Sequence, residues 1–158
     1  MNWSYIAGLF DGEGCACVSF KKNGPYWTVT PILFFSGSLN LLEQLKHFLQ
    51  RENVKAGIYK IPPSRIFPEA KGTYSLSVVR WEGCKRVCSY IWDETIEKRA
   101  VIQLLRDAIN LHDTCIRRRP IRGKLLTVED LKTFDRIRHE IHKYARKGPK
   151  KLREYTFV

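Results

Sequence analysis

Ile6-Ala7-Gly8-Leu9-Phe10-Asp11-Gly12-Glu13-Gly14 is the stretch on which the reading of this chain turns. Residues 3–12 have the apolar content of a short helix, yet a helix holding Gly8 and Gly12 is weak by intrinsic propensity. The two glycines stand at i and i+4 on one face, where the missing side chains let another backbone come close. Asp11 and Glu13 crowd the C-terminal end, where the helix dipole disfavours negative charge. Local rules broken together at one spot point to a functional site. A blander account competes: Gly12 and Gly14 act as cap and turn glycines, with Asp11 and Glu13 solvated beside them.

Outward from this stretch the pattern changes from helical to alternating. Over residues 15–22, Ala16, Val18 and Phe20 fall on one face and Cys15, Cys17, Ser19 and Lys21 on the other. Asn23-Gly24-Pro25 turns the chain into a second strand over 26–35, completing a hairpin. Ser38 or Asn40 caps the next helix, with Glu43 three residues after Asn40 and Leu39, Leu42, Leu45 and Leu49 at helical spacing. Strands are predicted over 55–61 and 72–80, joined by a loop with Pro62, Pro63 and Pro68. Helices are predicted over 81–92 and 94–112, the second presenting Ile96, Ala100, Leu104, Ala108 and Leu111 on one face. Arg117-Arg118-Arg119-Pro120 interrupts that pattern. A last helix opens at Thr127 with Asp130 three residues on, carries Val128, Leu131, Phe134, Ile137, Ile141 and Tyr144, and ends at Gly148-Pro149. The order α-β-β-α-β-β-α, then more helix, predicts an α+β fold: one antiparallel sheet with helices on one face.

The chain's 158 residues suffice for one domain and its core. Its 28 Lys and Arg against 16 Asp and Glu give a formal charge of +12, which points to a polyanionic partner. Nucleic acid is favoured over membrane: no span-length apolar run occurs, nor a helix pairing a Trp/Leu face with a Lys-rich one. Met1-Asn2-Trp3-Ser4-Tyr5 has no secretory or transit character, so an intracellular protein is expected. Five cysteines, an odd number, argue against a secreted disulfide framework. Cys15/Cys17 and Cys84/Cys88 lack zinc-knuckle spacing and read as free structural thiols. His47, His112, His139 and His142 form no convincing nucleophile–base grouping, and the pair His139/His142 reads as a solvated helix face.

Ile6–Gly14 resembles the LAGLIDADG motif: a helix rich in small residues, an acid, a small residue, an acid, then Gly leading into a strand. With the strands and helices that follow, the resemblance in arrangement covers about residues 3–112. It leaves a helical extension at 113–146 and a basic tail at 147–158 of a single 1–158 domain. The resemblance implies an αββαββα core whose sheet forms a saddle on the DNA major groove, with the helices on the other face. It implies a single-motif homing endonuclease working as a homodimer; the one-domain length argues against an intein-embedded form, so an intron-encoded one is expected. Ala7, Gly8, Asp11 and Gly12 would pack against their counterparts in a second copy. Glu13, standing where the family name has Asp, would bind the divalent metal, Mg2+, with Gly12 beside it. Asp11 matches the first acid and is expected to be structural. Lys98 is the candidate for a basic group organising water and charge at the site, with Arg99 in reserve; the alternative is a solvated helix lysine. The chemistry agrees. Two Glu13 carboxylates beneath a phosphate repel each other and it, whereas divalent cations neutralise all three and lower the pKa of bound water. Ligands that are all oxygen, with a phosphate among them, favour Mg2+.

Target reading is expected from the strand face opposite the core, through Ser19, Lys21 and Asn23. Thr28, Thr30, Lys60, Arg65, Thr73, Ser75 and Ser77 are the candidates on the other strands and their loops. Arg117, Arg118, Arg119 and the basic cluster at 146–153 are expected to contact phosphates, or nothing specific. The expected activity is double-strand cleavage of a long pseudopalindromic DNA site. Its rivals are an intron-splicing maturase of the same fold that binds RNA, and a non-enzymatic basic RNA-binding protein. The carboxylate at Glu13 favours the nuclease.

Overall fold

The computed structural model describes residues 1–62, 73–118 and 126–144. Helix α1 (Trp3–Glu13) is capped by Asn2, whose side chain accepts the Tyr5 amide at 2.9 Å. It passes without a loop into strand β1 (Gly14–Asn23). Gly14 makes that junction possible, because a Cβ there would lie 2.6 Å from the Phe10 Cα. Gly24, at φ +61°, turns the chain into β2 (Tyr26–Gly37). Helix α2 (Leu39–Arg51) is capped by Ser38 rather than Asn40, so its third residue is Leu41 and no capping box forms with Glu43. Strands β3 (Gly57–Ile61) and β4 (Thr73–Val78) follow, then α3 (Trp81–Ile91), α4 (Arg99–Arg118) and α5 (Val128–Lys143).

The four strands form one antiparallel sheet in the order β1-β2-β4-β3. Ala16, Val18, Phe20, Val29, Leu33, Phe35, Leu76 and Val78 line its inner face, as period two requires. Ile6 and Phe10 of α1, Leu42, Leu45 and Leu49 of α2, Val87 and Ile91 of α3, Ile102 and Leu105 of α4, and Leu131 and Phe134 of α5 complete the core. Phe10 meets Phe35 edge to face at 5.8 Å, and burying such a side chain stabilises by roughly 1.5–3 kcal/mol. The capping box at Thr127 and Asp130 starts α5 as expected.

The expected helix over 94–112 is displaced. It starts at Arg99 and continues through Arg117 and Arg118. Ile96, assigned to its apolar face, precedes it and is 81% exposed. The face that packs carries Val101, Ile102, Leu105, Ala108, Ile109 and Cys115, because Leu104 and Leu111 sit at its half-buried margin. Residues 63–72, 119–125 and 145–158 lie outside the described residues, and with them Arg65, Arg119, Pro63, Pro68 and the basic tail.

Candidate nucleic-acid interface and carboxylate site

The C-terminal end of α1 is a convergence point. Glu13 is its last residue, with an exposed side chain. Asp11 points elsewhere: its carboxylate accepts the amides of Ile96 at 2.8 Å and Lys98 at 2.9 Å. These bonds clamp the turn before α4 onto the end of α1. Lys98 Nζ then donates to the carbonyls of Phe10 at 2.9 Å and Gly14 at 2.6 Å. A cation there adds a second bond to the Phe10 carbonyl, which already accepts the Gly14 amide, and offsets the negative end of the dipole. The ammonium is therefore held between two carbonyls that bracket Glu13 in the chain, so two acids at the unfavourable end of a helix no longer break a rule. Arg99, the reserve candidate, is committed to the preceding turn, donating to the carbonyls of Thr95 at 3.1 Å and Asp93 at 2.8 Å.

Gly8 and Gly12 are exposed, and a Cβ at either would meet nothing within 4 Å. That face of α1 is open to a neighbour. Ala7 is not part of it, since its side chain is wholly buried in the chain's own core. Its assignment to a subunit interface is corrected: one helix position separates a core-facing side chain from an open face.

Glu13 suits a hard divalent cation as an accessible all-oxygen donor at a helix end rich in carbonyls. Among the described residues no group of three or more His, Cys, Asp or Glu side chains converges to hold a metal. A cation at Glu13 would thus keep most of its coordination for phosphate, water or a second carboxylate, the habit of Mg2+.

The outer sheet face is set by the pairing. Directly opposed residues share a face, so Cys15 lies beside Phe34, Cys17 beside Ile32, Ser19 beside Thr30, Lys21 beside Thr28 and Asn23 beside Tyr26. Asn23 Nδ2 donates to Thr28 Oγ1 at 3.1 Å. Phe34 continues the first row into Ser77, and Thr73 faces the same way beside Ile61. Ser19, Lys21, Asn23, Thr28, Thr30, Thr73 and Ser77 are all on the expected face. Ser75 shares the parity but is only 2% exposed, next to Tyr59, so it offers a groove almost no surface.

Lys60 is on the wrong side. It opposes Tyr74, two residues from the pair Ile58 and Leu76, and Leu76 is fully buried in the core. Lys60 therefore belongs to the helix-side face, in a cleft with Glu43, Lys46 and His47 of α2. On β3 the outward positions are Tyr59 and Ile61. The placements of Arg117 and Arg118 are local: Arg117 Nε donates to Asp113 O at 3.3 Å, and Arg118 pairs with Asp130 at 3.1 Å, tying α4 to the start of α5.

The sequence profile of the LAGLIDADG-like domain matches residues 2–91, more than half of the chain, including α1, all four strands and α3. The chain belongs to the LAGLIDADG family. Lys98, the extended α4 and α5 lie beyond the matched segment. The fold is similar to that of the homing endonuclease I-CvuI, solved in complex with the I-CreI target in the presence of 2 mM Mg with the DNA not cleaved. The TM-score is 0.69 at 14% identity, over 96% of this chain and 85% of that one. I-SmaMI, bound to uncleaved DNA target in the presence of calcium ions, gives 0.67 at 22% identity over 96% of this chain and 47% of that one. The homing endonuclease I-TnaI gives 0.59 at 16% identity over 89% and 98%. At such identities the likeness is one of fold. No curated protein sequence matches this LAGLIDADG chain. No helix among the described residues is long and apolar enough to cross a membrane.

The outer face of this LAGLIDADG sheet also carries Cys15, Cys17, Tyr26, Ile32, Phe34 and Tyr59, none of which was among the candidates for target reading. Period two from Ala16 already puts Cys15 and Cys17 on that face, but only polar and basic side chains were chosen as contacts.

Proposed function

We propose that this chain, as one 1–158 domain, is a divalent-metal-dependent DNA endonuclease that acts as a homodimer on a long pseudopalindromic duplex. The observation that carries the reading is the juxtaposition at the end of α1. An exposed carboxylate, Glu13, stands beside a helix face on which Gly8 and Gly12 leave room for a second helix. One such carboxylate per chain is too few to serve two scissile phosphates; two chains meeting along α1 bring a pair together. The structural neighbours support the partner: I-CvuI and I-SmaMI were solved on DNA targets with Mg or Ca.

In this reading Glu13, with Gly12 beside it, holds Mg2+, which when bound would neutralise phosphate charge and lower the pKa of attacking water. The chain's own groups do the rest. Asp11 fixes the turn at 96–98, and the turn sets Lys98 against the carbonyls flanking Glu13. The Lys98 ammonium so held stabilises negative charge gathering at the phosphate and orients water near it. Lys21 on the outer face of the sheet supplies phosphate attraction, and Ser19, Thr28 and Thr30 offer hydrogen bonds to base edges.

The test is cleavage of supercoiled plasmid carrying duplexes selected by the protein, with Mg2+, with Ca2+ and with chelator. Linear product that requires Mg2+ is expected. Plasmid left intact in every divalent metal, by protein that binds it specifically, removes the nuclease reading.

A further inference from the structure

The outer sheet face is divided along its length. Its distal rows, Ser19 with Thr30 and Lys21 with Thr28, are polar or charged. The two rows nearest Glu13 are not: Cys15 opposes Phe34, and Cys17 opposes Ile32. Ile32, Phe34 and Cys17 are half-buried and Cys15 is exposed, on the face turned away from the helices. Burial holds the Cys17 thiol above its ordinary value, at about 11, and it behaves as a small apolar group; Cys15 adds a second small sulfur-bearing side chain beside it. Four such side chains in adjacent rows leave a contiguous apolar surface with little hydrogen-bonding capacity, on a chain of net charge +12. The apolar surface ends at the row of Ser19 and Thr30, and the row that carries Lys21 follows.

A polyanion with an apolar element exposed in its groove matches this combination. In the major groove only the C5-methyl of thymine supplies one; the other base-edge features are donors and acceptors. Resting on the DNA-endonuclease reading above, we infer that Cys15, Cys17, Ile32 and Phe34 select thymine methyl groups at the base pairs next to the cut in each half-site. The distal rows read the outer base pairs by hydrogen bonds and charge. The lengths agree. A strand rises about 3.4 Å per residue and B-DNA about 3.4 Å per base pair, so β1 tracks the duplex at roughly one base pair per residue. Cys15 to Cys17 then covers about three base pairs outward from Glu13, and Lys21 begins about four base pairs farther on.

The experiment selects bound duplexes from a randomised pool with the full chain in Ca2+. It then replaces thymidine by deoxyuridine, which lacks only the methyl, at inner or outer positions of the winning site. Thymine enrichment at the inner base pairs is expected. Each inner replacement should weaken binding about fourfold, the loss that corresponds to one buried methyl. Ile32→Asn, which replaces the apolar side chain by a polar one at a half-exposed position, should abolish the thymine discrimination at its base pair while leaving outer preferences intact. The uracil arm needs no variant, so the outcome does not depend on how well a variant folds. Specific binding and Mg2+-dependent cutting, with no inner thymine enrichment and no effect of uracil, would overturn this inference and leave the nuclease reading standing. Failure to select any duplex, with no cutting, would overturn both.

Discussion

Glu13 and Gly14 sit next to each other and do opposite things. Glu13 is exposed at the end of α1, while Gly14 is buried where a side chain would collide with Phe10. Glu13→Gln keeps the shape and removes the charge that would hold a metal. It should lower cutting by more than about a hundredfold, since losing even a residue that merely orients a metal's ligands costs roughly ten- to hundredfold. DNA affinity should stay close to that of the parent, because the groove contacts lie elsewhere; normal cutting by this variant in the plasmid assay would remove Glu13 from the site. Gly14→Ala acts through packing instead. Its Cβ would stand 2.6 Å from the Phe10 Cα, in backbone that has no flexible end to swing away. Thermal or urea unfolding should show a loss of about 1–3 kcal/mol, with cutting reduced as the helix-to-strand junction shifts. A variant as stable as the parent would mean the junction relaxes freely.

At the scale of elements, strand parity decides which lysines stand on the outer face of the sheet. Lys21 is on the outer face of β1, whereas Lys60, in β3, falls on the helix side because Ile58 must oppose Leu76 in the core. Lys21→Ala should flatten the salt dependence of binding by about 0.9 for each phosphate that Lys21 neutralises, or relax a base preference by roughly 1–3 kcal/mol. Lys60→Ala should leave both unchanged in the same titrations, and equal effects from the two would contradict the β3 register. The α3–α4 junction carries a pH dependence of its own. The His112 ring stacks on Trp81 at 3.9 Å, and burial holds its imidazole below the ordinary value of 6.5 despite the nearby Asp113 and Glu82. The fold therefore favours the neutral ring. Its contribution is full above about 6.5 and is lost as pH falls below that, where the unfolded chain takes up the proton first. Asp113, held low by its bond to Lys85, adds a second loss only below about 3.8. Urea midpoints between pH 8 and 5 should fall for the parent and stay flatter for His112→Gln; parallel curves would assign the dependence to other groups.

For the whole molecule the prediction is symmetry. Two 18.5 kDa chains should form a particle of about 37 kDa, and the preferred site should be pseudopalindromic. Gly8 and Gly12 line the open face of α1, where a larger residue would disturb nothing within the chain. Gly8→Leu should therefore separate the subunits without unfolding the monomer, and abolish double-strand cutting with the dimer. Sedimentation on target DNA reads the assembly directly. A chain that stays monomeric there while cutting both strands would defeat the pairing of Glu13 carboxylates.

Much of this was present in local order. The alternation of Ala16, Val18 and Phe20 set the inner face of β1, and the cap at Thr127 with Asp130 set the start of α5. Both depend on neighbours a few residues apart, and so are legible along the chain itself. The Ile6–Gly14 motif likewise carried the family in one unbroken stretch. Other features required elements far apart in sequence to meet. That Lys98 belongs at the end of α1 follows from bonds across more than eighty residues. That α4 starts at Arg99 follows from Asp11, which holds Ile96 and Lys98 in the turn before it. Lys60 went astray for the same reason, whereas Ser75 keeps its expected face but is buried between Ser36 and Tyr59 on the neighbouring strands. The face and cover of a short edge strand depend on its register with β4, and register is decided by which apolar side chains reach the core, not by the strand's own alternation.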